Sequence, residues 1–421
     1  MSAALQAGAQ AFLARYAGLK ERLPGDRLIR DEAARAFAAS GLPGPRNEAW
    51  KYTNLRPLTE ARFHEPLVAL ADCNALLERL PPIAAPRLVF VDGHRRGDLS
   101  SEIAALKVYG FAQTPDFGRL PKPEREPLTA LNTMLAEDGA VIRVPDGLDG
   151  GTLVLASLGV APPGRPVAFH PRHVVRLGRG ARLTLVEVAI GRDVYLHNAV
   201  AEIVVGADAT LTHIRLQEEA DRALHFATVY VDVAERGSYD SFVLNLGARL
   251  ARTEIHARLG GPGGTAHLNG AQLLRGVQHA DFTTVVSHDA PNCTSRQTVK
   301  NVLTGRSRGV FQARIEVARG AQKTDGYQMN QALLLSPEAE IDSKPELEIF
   351  ADDVKCSHGA TVGELDADQL FYLRSRGIPE QDARAILVRA FLAEALEPIA
   401  HQQVRAALDA AVERWWERQA A

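Results

Sequence analysis

The first apolar pattern in the chain has the period of a helix. Between residues 3 and 23, Leu5, Phe12, Leu13, Tyr16, Leu19 and Leu23 recur at helical spacing, and Pro24 with Gly25 ends the run. Asp26 then stands where an N-cap is needed for a second helix reaching about Ser40. A loop follows, GLPGPRNEAWKYTNLRPL, in which Trp50 and Tyr52 sit among Arg46, Lys51 and Arg56. Such a mixture can stack on nucleic-acid bases. The simpler expectation is that the aromatics anchor the loop on its own domain.

From Arg87 the pattern shortens to apolar runs separated by Gly, Asp and Pro, beginning with RLVFVDG. One helical segment, PLTALNTMLAED at 127–138, interrupts them; otherwise brief strands and turns continue to about residue 360. The runs repeat. Ala181 in LGRGARLTL aligns with Ala209 in VGADATLTH, 28 residues on, then with Gly237 after another 28 and Gly264 after 27. Gly309 and Ala339 fit the same pattern 30 apart, whereas the 45 residues between Gly264 and Gly309 imply a distorted or expanded rung. This period, built from strand, small-residue corner and strand, predicts a solenoid whose rungs bury their inner faces only against one another. The expected fold is mainly β: a parallel β-helix flanked by helical regions at both termini.

Helical spacing returns after Glu364. Asp366 and Gln369 form a candidate capping pair, Gly377 and Pro379 mark a stop and restart, and a further helix runs to Pro398. The last helix carries Val404, Leu408, Val412 and Trp416 in one stripe, flanked by Ala407, Ala411 and Trp415. That stripe is expected to pack on the solenoid end or to dock a partner. Three regions result: helical 1–85, β-helix 86–362 and helical 363–421.

Composition narrows the function. With 46% hydrophobic and 24% charged residues and a net charge of -3, the chain reads as a soluble, near-neutral globular protein with no call for nucleic acid. The pair FYLRSRGIPEQDARAILV resembles a helix-turn-helix superficially but lacks the charge for strong phosphate attraction. No window approaches a membrane span, and the N-terminus lacks the features of a secretory signal, so a cytoplasmic location is expected. Cys73, Cys293 and Cys356 are the only cysteines, which suits a reducing compartment and leaves a four-thiolate cluster one ligand short.

Candidate chemistry centres on DDVKCSHGAT, residues 352–361. If 349–358 is a strand, Cys356 and His358 share a face about 6–7 Å apart along the backbone and can bind one iron or zinc ion together. They can equally be a nucleophile beside a base, or two packed residues. His170, His173, His213, His225, His256, His267, His279 and His288 are scattered and are expected to be structural. There is no H-E-x-x-H helix and no phosphate loop at TGRSRG. The rival reading, a β-helix carbohydrate-active enzyme using Asp352 and Asp353, is weakened by the absence of a secretory signal.

RNEAWKYTNL, TSRQTVKNVLTGRSRGVFQARIEVARGAQKTDGYQMNQALLLS and SKPELEIFADDVKCSHGATVGELDADQLFYLRSRGI together resemble the SufB/SufD family of iron-sulfur cluster assembly subunits over essentially the full chain. Where SufB has a cysteine in the segment matching MNQALLL, this chain has Asn330, and it also differs at KCSHGAT. Those departures set it on the other branch of the family. The resemblance implies a non-enzymatic scaffold that pairs with SufB through the β-helix, or with itself when alone, and that receives the SufC ATPase on its C-terminal helices. Leu370, Phe371, Tyr372, Arg374, Arg376, Arg389 and Phe391 are the expected SufC contacts. Cys356 and His358 are then expected to be shared ligands of a nascent iron-sulfur cluster that is transient in the complex, with no cofactor stably bound by the single chain.

Overall fold

The computed structural model describes residues 3–67, 72–103, 106–111, 117–121 and 126–420. The described helices are α1 (Ala3–Leu19), α2 (Arg27–Ser40), α3 (Asn74–Leu77), α4 (Pro127–Leu135), α5 (Ala367–Ser375), α6 (Glu380–Leu396) and α7 (Gln402–Ala420). Strands begin with β1 (Arg87–Val91), β2 (His94–Arg95), β3 (Lys107–Gly110), β4 (Ala140–Val144), β5 (Asp149–Gly159), β6 (Val167–Phe169) and β7 (Arg172–Leu177). The regular coils follow as β8 (Arg182–Gly191), β9 (Tyr195–Val205), β10 (Thr210–Glu218), β11 (Leu224–Val233), β12 (Ser238–Asn245) and β13 (Leu250–Leu259). They continue as β14 (Thr265–Leu274), β15 (His279–His288), β16 (Thr294–Leu303), β17 (Arg308–Val317), β18 (Asp325–Leu334), β19 (Glu340–Ile349) and β20 (Lys355–Gly363).

From β8 onward, successive strands alternate between two sheets. Even-numbered strands stack in parallel in the first sheet, from β8 to β20, and odd-numbered strands in the second, from β9 to β19. Each coil therefore contributes one strand to each sheet, which is the expected parallel β-helix. From β8 to β13 the odd-numbered residues point inward, so Leu183, Leu185, Ile203, Val205, Leu211, Val231 and Val233 form one core between the sheets. A strand's alternation supplies this face directly from sequence.

The coil corners repeat as the spacing predicts, with one correction. Pairing places Ala181, Ala209, Gly237 and Gly264 just before consecutive strands of the first sheet, but the next position in that column is Cys293, followed by Thr324. Coil steps there are 29, 31 and 30 residues, read from Thr265, Thr294, Asp325 and Lys355 in register. No rung is expanded: Gly309 lies on the second sheet, so the 45-residue gap is a change of sheet. Immediately before each corner a residue takes positive φ: Gly180, Asp208, Arg236, Gly263, Asn292 and Lys323. At Gly261 an added Cβ would lie 2.0 Å from Glu235 N of the preceding coil, so the stack requires glycine there.

Helices cover the outer faces. Leu5, Phe12, Tyr16, Phe37, Leu131 and Leu135 from α1, α2 and α4 pack on Leu196, Leu224, Phe226 and Leu250 of the second sheet. Trp50 is buried there, with the Arg252 guanidinium 4.2 Å from its ring centroid, so the loop aromatic is an anchor. On the first sheet, Val388, Leu392, Val404, Leu408, Val412 and Trp415 of α6 and α7 cover Val186, Val188, Ile214, Leu216, Phe242 and Leu244. The terminal stripe thus packs on the solenoid's side and not on its end. Arg414 and Arg418 of α7 both pair with Glu218, and Lys300 of β16 pairs with Glu394 of α6. Leu408→Ala, emptying a fully packed site, is expected to destabilise the fold by about 2–5 kcal/mol in denaturant titration.

Candidate functional site

A solenoid must end somewhere, and β19 and β20 are its last strands. Each pairs on one side only, β19 with β17 and β20 with β18. Their other edges, and the inner face of the coil they form, have no further coil to meet. Pro345, in the middle of β19, suits such an edge because it has no N–H to donate. Ile349, Phe350 and Val362 are exposed apolar side chains of this last turn.

Cys356 and His358 lie on β20. The strand begins at Lys355, after a turn that includes Asp352 and Asp353, and not near residue 349 as the sequence suggested. The two residues still share one face, the inward one: Cys356 pairs with Gly326 and His358 with Gln328, both buried. Cys356 packs at the margin of a small cluster containing Ile315, Val317, Ala321 and Ala351. A Cβ added at Gly326 would stand 3.1 Å from Ile315 Cδ1 and 3.4 Å from Cys356 Sγ, so glycine relieves crowding chiefly against Ile315. His358 is exposed above Gln328, whose side-chain nitrogen and oxygen are both buried without a hydrogen-bond partner. Asn330, two residues further along the same face of β18, accepts a 2.7 Å hydrogen bond from Asn301 Nδ2.

Burial pushes the Cys356 thiol above its ordinary range, partly offset by the Gly326 backbone N–H, so at neutral pH the sulfur keeps its proton. A metal or a cationic neighbour would have to draw that proton off before the sulfur could ligate. The other thiols do not join it. Cys73 packs beneath the C-terminal helices, and Cys293 lies in the core with Sγ directed at Gly261 O, 3.3 Å away. Cys356 and His358 therefore stand on an open coil with neither of the other cysteines beside them.

A second exposed region is α5, which has no buried residue. Phe371 is 72% and Tyr372 56% exposed, with the Arg376 guanidinium 5.1 Å from the Tyr372 ring centroid. Leu370 is half-buried, Arg374 pairs with Glu380 at 3.3 Å, and Arg389 pairs with Glu413 at 2.8 Å. Phe391 is different. It packs against the sheet cluster with Lys300 Nζ 4.5 Å from its ring centroid, so it holds α6 to the solenoid.

The scattered histidines are not all solitary. His197 and His225 occupy the same position in adjacent coils and meet Glu219 inside the solenoid. Sequence reading passed over His197 and Glu219, although the 28-residue spacing between the histidines equals the coil period and signals their stacking.

Comparison with known proteins agrees with this architecture. Residues 161–391 match the family described as SUF system FeS cluster assembly, SufBD core domain. The chain is 36% identical over 371 residues to the iron-sulfur cluster assembly protein SufD of Escherichia coli, covering 86% of each chain. It is 32% identical over 393 residues to an iron-sulfur cluster assembly SufBD family protein of Synechocystis sp., covering 88% of this chain and 86% of that one. It is also similar, at 28% over 405 residues, to the chloroplastic protein ABCI7 of Arabidopsis thaliana. The chain belongs to the SufBD family of iron-sulfur cluster assembly proteins.

Because a raised thiol pKa leaves less thiolate at neutral pH, iodoacetamide should label Cys356 of the native chain more slowly than an unhindered cysteine at pH 7.5. Labelling should accelerate as pH rises beyond the ordinary thiol range. Peptide mass spectrometry across a pH series checks this, with Cys73 and Cys293 expected to react only after unfolding.

Proposed function

We propose that this chain is a non-catalytic scaffold subunit that contributes Cys356 and His358 to a nascent iron-sulfur cluster completed by SufB. The observation that carries this reading is the last coil, with its unpaired strand edges, exposed apolar residues and a Cys-x-His pair on the face where another coil would stack. A similar open end on SufB would satisfy the backbone edges, bury Ile349, Phe350 and Val362 and supply the missing ligands. The cluster is cargo, assembled between subunits and passed on.

The SufC ATPase would dock on α5 and the solvent face of α6. Phe371 and Tyr372 offer the exposed aromatic area, and Arg374, Arg376 and Arg389 the charge, that anchor protein interfaces. Closure of two SufC subunits on ATP would move α6, which is tied to β16 through Lys300, Glu394 and Phe391. Stacked coils would carry that movement to the open end, provided the complex has two states for ATP to bias.

Two variants separate the sites. C356A/H358A should lower iron and sulfide content of the co-purified complex severalfold while SufB and SufC still co-purify; unchanged content would sink the ligand role. F371A/Y372A should instead lose SufC in pull-down while pairing with SufB persists. Its stability should change by less than about 0.5 kcal/mol, because neither side chain is buried.

A further inference from the structure

The solenoid interior is not uniformly apolar. Inside the solenoid, between the C-terminal halves of β8 and β10 and the N-terminal ends of β7, β9 and β11, His173, Glu187, His197, Arg215, Gln217 and His225 line a cavity of about 30 Å³. At its margin, His197 Nδ1 and His225 Nδ1 approach the two carboxylate oxygens of Glu219 at 3.0 and 2.7 Å. All three side chains are buried, and one ligand atom from each can be chosen so that all lie within 4.8 Å of one another. His197 Nε2 and Arg215 Nε and Nη2 are buried there without hydrogen-bond partners.

From this geometry we infer that His197, Glu219 and His225 form an internal site for one first-row divalent transition ion, separate from the open-end pair Cys356 and His358. Two imidazoles and one carboxylate are a donor set that zinc and ferrous iron accept, with a further position left for water. The neighbouring cavity is large enough to hold that water.

Charge supports the assignment. Glu219 is a buried carboxylate that accepts a 2.9 Å hydrogen bond from Gln217 Nε2 and, among the described residues, forms no ion pair with Lys or Arg, so a cation held between it and the imidazoles would neutralise its charge. Glu187, which His213 Nε2 approaches at 3.1 Å, adds a second acidic side chain on the cavity wall, and Arg215 also lines the cavity.

The test uses the full-length chain with any affinity tag removed, loaded either with excess Zn2+ or Co2+ in solution or by expression in medium supplemented with that metal, then desalted. About one equivalent should remain on the wild type and on C356A/H358A, while E219Q and H225N should lose at least about tenfold in affinity. If wild type retains no metal by either route, or if the folded variants retain it as tightly, the inference is wrong. X-ray absorption on the zinc-loaded wild type decides the matter even if the variants do not fold. Two imidazoles at about 2.0–2.1 Å with oxygen and no sulfur are expected, and a first shell containing sulfur or lacking paired imidazoles overturns the site. Persistence in C356A/H358A keeps this outcome distinct from failure of the open-end ligands.

Discussion

Parallel stacking is the constraint on which the structure depends. A coil cannot satisfy its backbone donors and acceptors alone, nor hide its inner side chains; both tasks fall to the coil before and the coil after. In the middle of the stack every strand has two neighbours, and residues such as Val229, Ile255 and Phe282 are sealed between sheets. At β19 and β20 the same rule leaves edges and side chains without partners. The place where the stabilising principle runs out is where the chain has chemistry to offer.

The helical regions solve a different problem. They lie along the two outer faces, α1, α2 and α4 on one sheet and α6 and α7 on the other, and they leave much of the last coil exposed, with Lys344 of β19 paired to Glu48. An apolar outer face would otherwise be an aggregation liability. Since the helices cover the sides, the open end and α5 remain accessible while the body between them is continuous. Lys300 illustrates the connection: its ammonium is buried over Phe391 and paired with Glu394, and its strand is separated from β20 only by β18.

Polar side chains inside the stack add a second layer of order. Gln272 and Asn301 stand in adjacent coils and hydrogen bond at 2.8 Å, and Asn301 in turn reaches Asn330. His213 bonds Tyr239 at 2.9 Å and Glu187 at 3.1 Å. Burying such groups is favourable only when partners are in register, so these contacts tie the interior to one stacking arrangement. The series ends at Asn330; Gln328, on the same face of β18, has no side-chain hydrogen-bond partner and stands in register with His358 of the open coil.

Much of this was written in one-dimensional patterns. Helical stripes, alternating strands and a period near 28 residues are local or repetitive, so they identified the β-helix, its flanking helices and the one face shared by Cys356 and His358. The thiol count alone established that a four-thiolate cluster needs outside help. Other features depended on distances across the stack. The 45-residue gap proved to be a step between sheets, disguised because Cys293 and Thr324 occupy corners where glycine or alanine was expected. The last helix chose the solenoid's side, and Glu219 met His197 and His225 across the gap between sheets. Such meetings depend on register and sheet separation, which the assembled stack sets collectively and no single segment encodes.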